Sequence, residues 1–137
     1  MKKGLWFLLV VVFVVIALLI GALHLNPLRR SSSNIRKKML KQFPVGTHIS
    51  DVVQAVESNA NWKHLIVQET RGVFIHPETG QITFYGDESF NCIGTQAIRF
   101  CLGEYRSVFP CSVLVYMAFD DSGYLVEILI NKEYDAP

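Results

Sequence analysis

The sequence predicts an α+β protein: an N-terminal transmembrane helix, then two short helices packed on an antiparallel sheet of four to six strands. Residues 5–25 (LWFLLVVVFVVIALLIGALHL) hold 19 apolar residues in 21. Two short stretches beyond them carry apolar residues at helical spacing. From Trp62 onward, branched and aromatic residues come in short runs divided by turn residues, which is the pattern of strands. The 137 residues are 50% hydrophobic, but the excess lies in that first segment. The remainder has the composition of a soluble domain with room for one modest core. The chain divides into a membrane anchor at 1–25, a basic juxtamembrane linker and helix at 26–44, and an α+β domain at 45–137. It shows no heptads, no low complexity and no collagen period, so fibrous and fully disordered classes are excluded.

At 1.5 Å per residue the first segment is roughly 30 Å long as a helix, the thickness of a hydrocarbon core. A cleaved signal peptide is the alternative, with Met1-Lys2-Lys3 as its positive start. Its apolar run is usually shorter, about 7–15 residues, and ends at a small-residue cleavage site, which Ile20-Gly21-Ala22-Leu23-His24 matches poorly. No cysteine follows for lipid attachment. The expected location is the inner membrane, spanned once by residues 5–25.

Charge is segregated beyond the helix. Residues 26–41 carry six Lys/Arg (Arg29, Arg30, Arg36, Lys37, Lys38, Lys41) and no acid. Residues 42–137 carry five Lys/Arg against twelve Asp/Glu, a net of −7. The basic stretch reads as a collar attracted to anionic lipid near 29–41, at roughly 1 kcal/mol per charge near the surface. Nucleic acid is excluded as a partner, because it would need those charges on the folded domain. Positive-inside counting places the domain in the cytoplasm. Lys2-Lys3 before a long apolar run has the look of a bacterial export signal-anchor, so the two arguments conflict.

Asn26-Pro27 stops the first helix, and Ser31-Ser32-Ser33 forms a polar hinge. Ser33 or Asn34 caps the next helix, which buries Ile35, Met39, Leu40 and Phe43 and ends at Pro44 and Gly46. Thr47 or Ser50 caps another, with Ile49, Val52, Val53 and Val56 as its stripe. Residues 62–68 (WKHLIVQ), 72–76 (GVFIH) and 82–85 (ITFY) read as strands, the last two as a hairpin about Pro77–Gly80. Residues 87–95 read as a polar loop and 97–103 (AIRFCLG) as a further strand. The last hairpin joins 112–119 to 124–131 through Asp120-Asp121-Ser122-Gly123. Pairing Phe119 with Tyr124 sets Met117 opposite Val126, Val115 opposite Ile128 and Val113 opposite Ile130, with all eight on one buried face. The other face, with Leu114, Tyr116, Leu125, Glu127 and Leu129, is too apolar for a solvent face and needs a cover.

The run Gly46-Thr47-x-x-x-Asp51-Val52, followed by Phe119-Asp120-x-x-Gly123-x-Leu125-Val126-x-Ile128, resembles the helix–helix–sheet domains of the SmpA/OmlA (BamE-like) outer-membrane assembly lipoproteins and of β-lactamase-inhibitor-protein repeats. It is also similar to membrane-anchored bacterial proteins with a Leu102-Gly103-Glu104-Tyr105-Arg106 segment before such a hairpin. The resemblance covers about residues 45–135. The lipoprotein cysteine is missing, and Ser58-Asn59-Ala60-Asn61 replaces a Gly-x-Pro after the second helix. The resemblance implies an exported, periplasmic binding module without catalytic machinery.

The residues themselves point to no catalytic site, no metal and no cofactor. Cys92, Cys101 and Cys111 include no C-x-x-C pair. In an oxidising compartment Cys101–Cys111 or Cys92–Cys101 could form a disulfide; in a reducing one all three are small buried hydrophobes. His24, His48, His64 and His76 form no H-x-x-x-H or H-E-x-x-H motif. A nucleophile pair of Cys92 with His64 or His76 would need a proximity that spacing does not supply. Asp87-Glu88 and Asp120-Asp121 fit turns, where Asp bonds its own backbone. Glu104, Tyr105, Arg106 and Phe109 lie between two strands and include residue types enriched in binding hot spots. They are the expected surface for an unidentified protein partner. The expected function is protein contact in envelope assembly, inhibition or toxin immunity, with a cytoplasmic-facing accessory subunit of a membrane complex as the alternative.

Overall fold

The structure is a computed structural model that describes residues 2–135, without the side chains at 2–3 and 22–25. The expectations placed on Met1 and on the side chains of Lys2, Lys3 and His24 therefore fall outside the described residues. The first helix, α1 (Lys2–Leu25), is apolar enough to cross a membrane, with mean hydropathy 3.0 over Gly4–Gly21, a stretch of which none is buried. Asn26 ends it, and its side chain accepts a hydrogen bond from the Leu28 amide at 3.0 Å. That bond starts a 3-10 turn, Pro27–Arg29, whose first position suits proline because no donor is needed there.

Two short helices follow. In α2 (Ser32–Gln42) the Ser31 hydroxyl caps the Asn34 amide, so the cap falls two residues before the expected Ser33. Ile35, Met39 and Phe43 are buried as their spacing requires. In α3 (Ile49–Ser58) the cap is His48, not Thr47 or Ser50: its Nδ1 accepts from the Ser50 amide at 3.3 Å. Thr47 instead bonds back to the Pro44 carbonyl. Imidazole supplies the acceptor that a hydroxyl usually provides.

Seven strands build two antiparallel sheets. β1 (Lys63–Gln68), β5 (Gln96–Arg106), β6 (Pro110–Phe119) and β7 (Leu125–Tyr134) lie side by side in the order β1-β5-β6-β7. Beside them, β2 (Val73–Ile75), β3 (Ile82–Thr83) and β4 (Asn91–Ile93) pair in the order β3-β2-β4. The stretch expected to be loop, 87–95, therefore contains a strand. Three residues are too few to show alternation, and the free edge of β2 recruits them.

The large sheet has an apolar core on each face. The helices cover one, with Ile35, Met39, Val52 and Val56 against Ile98, Phe100, Val115, Met117 and Ile128. Trp62 joins them, its ring 5.0 Å from that of Phe100. The small sheet covers the other, bringing Val73 and Phe84 onto Ala97, Tyr116 and Ala118. This is the cover that the apolar second face demanded.

The last hairpin corrects the expected register. Met117 lies opposite Ile128 and Val115 opposite Ile130, two residues further along than expected. Between Ala118 and Phe119 the register shifts, because Val126 is an extra residue on β7. Such a bulge reverses the phase of the strand. Leu125 consequently enters the helix-side core, whereas Val126 and Tyr124, expected in the core, are 39% and 48% exposed. The turn itself is as its residues dictate. The Asp120 carboxylate accepts from the amides of Ser122 and Tyr124, and Gly123 takes φ +81°.

Candidate binding surfaces at the two ends of the sheet

β5, β6 and β7 run on past the end of β1 as a three-stranded projection, so the segment expected to link two strands is mostly strand itself. Glu104, Tyr105 and Arg106 lie opposite Ser112, Cys111 and Pro110, and only Ser107-Val108-Phe109 forms the turn. Leu102 is an extra residue on β5. The bulge there brings Gly103 to φ +152°, and a Cβ on Gly103 would sit 2.8 Å from a Leu28 methyl. Leu28 therefore occupies a notch that only glycine leaves open.

The same end holds a cluster around Tyr105. Tyr105, Cys111 and Tyr134 form one cross-strand row of β5, β6 and β7. The Arg29 guanidinium lies 5.5 Å from the Tyr105 ring centre and the Lys132 ammonium 5.2 Å, an arrangement in which the ring quadrupole attracts both cations. Arg29 also donates to the Arg106 carbonyl, and Lys132 donates to the Arg30 carbonyl at 2.7 Å. Hydrogen bonding with the Cys111 thiol, then with the Tyr134 hydroxyl, raises the Tyr105 phenol above its usual range. The phenol stays neutral at any physiological pH. The 3-10 turn is thus clamped to the projection by Leu28, Arg29 and Arg30 together.

This clamp divides the four expected contact residues. Tyr105 is engaged within the molecule. Glu104, Arg106 and Phe109 face solvent, and Arg106 makes no ion pair with Glu104. Phe109 is 40% exposed and its neighbour Val108 86%, so neither is folded into the core. Of the basic collar, Arg36 is half-exposed and paired, bonding the Ile128 carbonyl at 2.8 Å and the Glu127 carboxylate at 2.5 Å. Lys37, Lys38 and Lys41 remain exposed beside Arg29 and Arg30.

The three cysteines are free, and Cys101 and Cys111 are not brought together. Cys101 lies opposite Leu114, three residues along β6 from Cys111. At about 3.3 Å per residue that offset alone is roughly 10 Å, beyond the reach of a disulfide. Cys92 lies opposite Phe74 in the small sheet, while the His76 ring stacks edge-on against Phe90. A hollow of about 180 Å³ is lined by His64, Cys101 and Glu104, but no three His, Cys, Asp or Glu among the described residues could hold a metal. A second cavity of about 270 Å³ lies between the 3-10 turn, α2 and Trp62.

The opposite end of the sheet carries a surface absent from the sequence reading. There Gly46 and Thr47 pair with Leu125, and the His48 ring meets the Tyr124 ring edge-on at 5.4 Å. Val45 is 65% exposed at this end, beside the exposed Tyr124 and Val126. The signal was the four-residue Asp-rich turn, which accommodates a longer loop and a bulge as readily as the direct pairing.

These features define a class: an α+β domain behind an exposed apolar helix of the length shared by membrane anchors and signal sequences. Set against protein-family models, curated proteins and solved structures, the chain matches none.

Proposed function

We propose that the chain is a single-pass membrane-anchored binding module, without enzymatic activity, that works by protein contact on the periplasmic side in envelope assembly, inhibition or toxin immunity. The observation that carries this reading is the clamp. An exposed apolar helix leads within four residues to a turn locked onto the far end of the sheet by Leu28, Arg29 and Lys132. A freely tethered domain needs no such lock. A lock gives the domain a defined orientation relative to the helix, which matters when one face must meet a partner.

Val45, Tyr124 and Val126 form the contact surface, at the end of the sheet away from the helix. They are exposed apolar side chains at one end of the sheet, which favours a protein over water. Arg106 and Phe109 form the second available surface, beside the membrane. The alternative, a cytoplasmic-facing accessory subunit, draws on the six positive charges between Arg29 and Lys41.

Two measurements test the proposal. Alkaline phosphatase and a cytoplasm-only fluorescent reporter, fused separately to the C-terminus, should give phosphatase activity without fluorescence. The reverse result selects the cytoplasmic reading. A photo-crosslinking residue at position 124 should then trap a defined protein that one at Thr79 does not, and Val126→Asp should abolish it. Equal crosslinking at both positions removes the surface from the case.

A further inference from the structure

We infer that the β5–β6 turn is a second membrane contact: Val108 and Phe109 enter the interfacial layer of an anionic bilayer, and the guanidinium groups of Arg29, Arg30 and Arg106 lie among its headgroups. The inference rests on the reading of α1 as an anchor, and it names what the membrane-side end of the domain meets.

Chain geometry supplies the first argument. Arg29 lies four residues past Leu25, where α1 ends. At a maximum of about 3.6 Å per residue it is within roughly 14 Å of the helix end, however the domain is turned. The Arg29 side chain bonds the Arg106 carbonyl, and Leu28 fills the notch at Gly103. The turn at Ser107–Phe109 begins at the next residue. The headgroup layer is about 5–8 Å deep on each side, so a spanning α1 brings the turn within reach of the bilayer surface.

Composition supplies the second. Val108, at 86%, is more exposed than any large apolar side chain described in α1, where Phe13 reaches 75%, and Phe109 lies next to it. Water is a poor environment for such a pair at a hairpin tip. An interfacial layer suits it: apolar side chains reach the acyl boundary while arginines pair with phosphates. Glu104, Glu133 and Asp135 are the acids of this end, Glu133 lying across Ser112 from Glu104 and Asp135 bonding the Pro110 carbonyl through its amide. Arg29, Arg30, Arg106 and Lys132 outnumber them by four to three, so the end is slightly cationic although the folded domain is acidic. That local reversal favours a phosphatidylglycerol-type surface over a neutral one.

The test uses the full chain in phosphatidylglycerol–phosphatidylcholine vesicles with an environment-sensitive fluorophore at Val108→Cys. A Cys92→Ser background removes the exposed thiol, and the buried Cys101 and Cys111 stay unlabelled. Matched labels go at Val12→Cys in α1 and at Thr79→Cys in the β2–β3 turn. Headgroup-level spin-labelled lipid should quench the Val108 label several-fold more than the Thr79 label, with a blue-shifted emission. Arg106→Gln or pure phosphatidylcholine should lower that quenching. A Val108 label as little quenched as Thr79, with Val12 quenched by deep spin labels, overturns the inference and leaves the anchor standing. An unquenched Val12 label overturns the anchor reading, and this inference falls with it.

Discussion

Gly103 joins the domain to the 3-10 turn after the apolar helix through the absence of a side chain. Its positive φ and the 2.8 Å approach of Leu28 to the missing Cβ act together. Gly103→Val should cost about 1–3 kcal/mol, the usual range for a strained backbone position. Hydrogen exchange at the Leu28–Arg30 amides should speed up along with the loss in a denaturant melt. Asp87 is a second case of a local constraint. Its carboxylate accepts from the Ser89 hydroxyl at 2.5 Å and the Ser89 amide at 2.8 Å, which lowers its pKa below the ordinary 3.8. A depressed acid contributes stability that is present above its unfolded pKa and lost as pH falls through the folded one. The turn before β4 should therefore loosen only below about pH 4. An NMR titration should show the Asp87 carboxyl and the Ser89 amide shifting together, with a midpoint under 3.8.

The bulge on β7 governs the last hairpin at the scale of the element. Because Val126 is the extra residue, Leu125 lies in the helix-side core and Val126 outside it. Leu125→Ala should cost about 2–5 kcal/mol in a urea melt, as for other buried leucines. Val126→Thr should stay within about 0.5 kcal/mol, as for a surface site. Equal costs at the two positions would restore the direct register. The outer edge of β7 is also managed. At Ile128 the carbonyl accepts from Arg36 at 2.8 Å and the amide donates to Glu127 at 2.8 Å, while the two side chains pair with each other. As an exposed ion pair this is worth about 0–1 kcal/mol. Its larger effect is to occupy backbone groups that would otherwise template another strand. Arg36→Ala should barely move the melt but raise self-association, seen by light scattering at high protein concentration.

Across the whole molecule, the sheet has the turn that follows the apolar helix joined at one end and an apolar patch at the other. The join consists of the Leu28 notch, the Arg29 and Lys132 cations on Tyr105 and the Lys132–Arg30 bond. Removing both cations with Arg29→Ala and Lys132→Met should free the turn while sparing the cores, neither of which contains these residues. Limited trypsin digestion should then cut after Arg30 several-fold faster, with little change in thermal stability. An unchanged cutting rate would mean that Leu28 alone holds the turn.

The apolar helix, the two short helices and the antiparallel sheet were legible in the sequence, since each depends on local periodicity: a run of 19 apolar residues in 21, the spacing of Ile35, Met39 and Phe43, and alternation in the long strands. Turn chemistry was legible too, at Asp120 and Gly123, because an Asx bond and a left-handed glycine are properties of a few consecutive residues. The candidate surfaces were legible only in part. Glu104, Arg106 and Phe109 stood out by residue type, but the capture of Tyr105 involves Arg29 and Lys132, far from it along the chain. Tertiary structure alone decided the hairpin register, the cover provided by the small sheet, the separation of Cys101 from Cys111 and the exposure of Val45, Tyr124 and Val126. For the register and the exposure of Tyr124 and Val126 the physical reason is the bulge on β7. A one-residue bulge exchanges the two faces of a strand, and where it falls depends on which packing buries more apolar surface, a sum over contacts between distant parts of the chain.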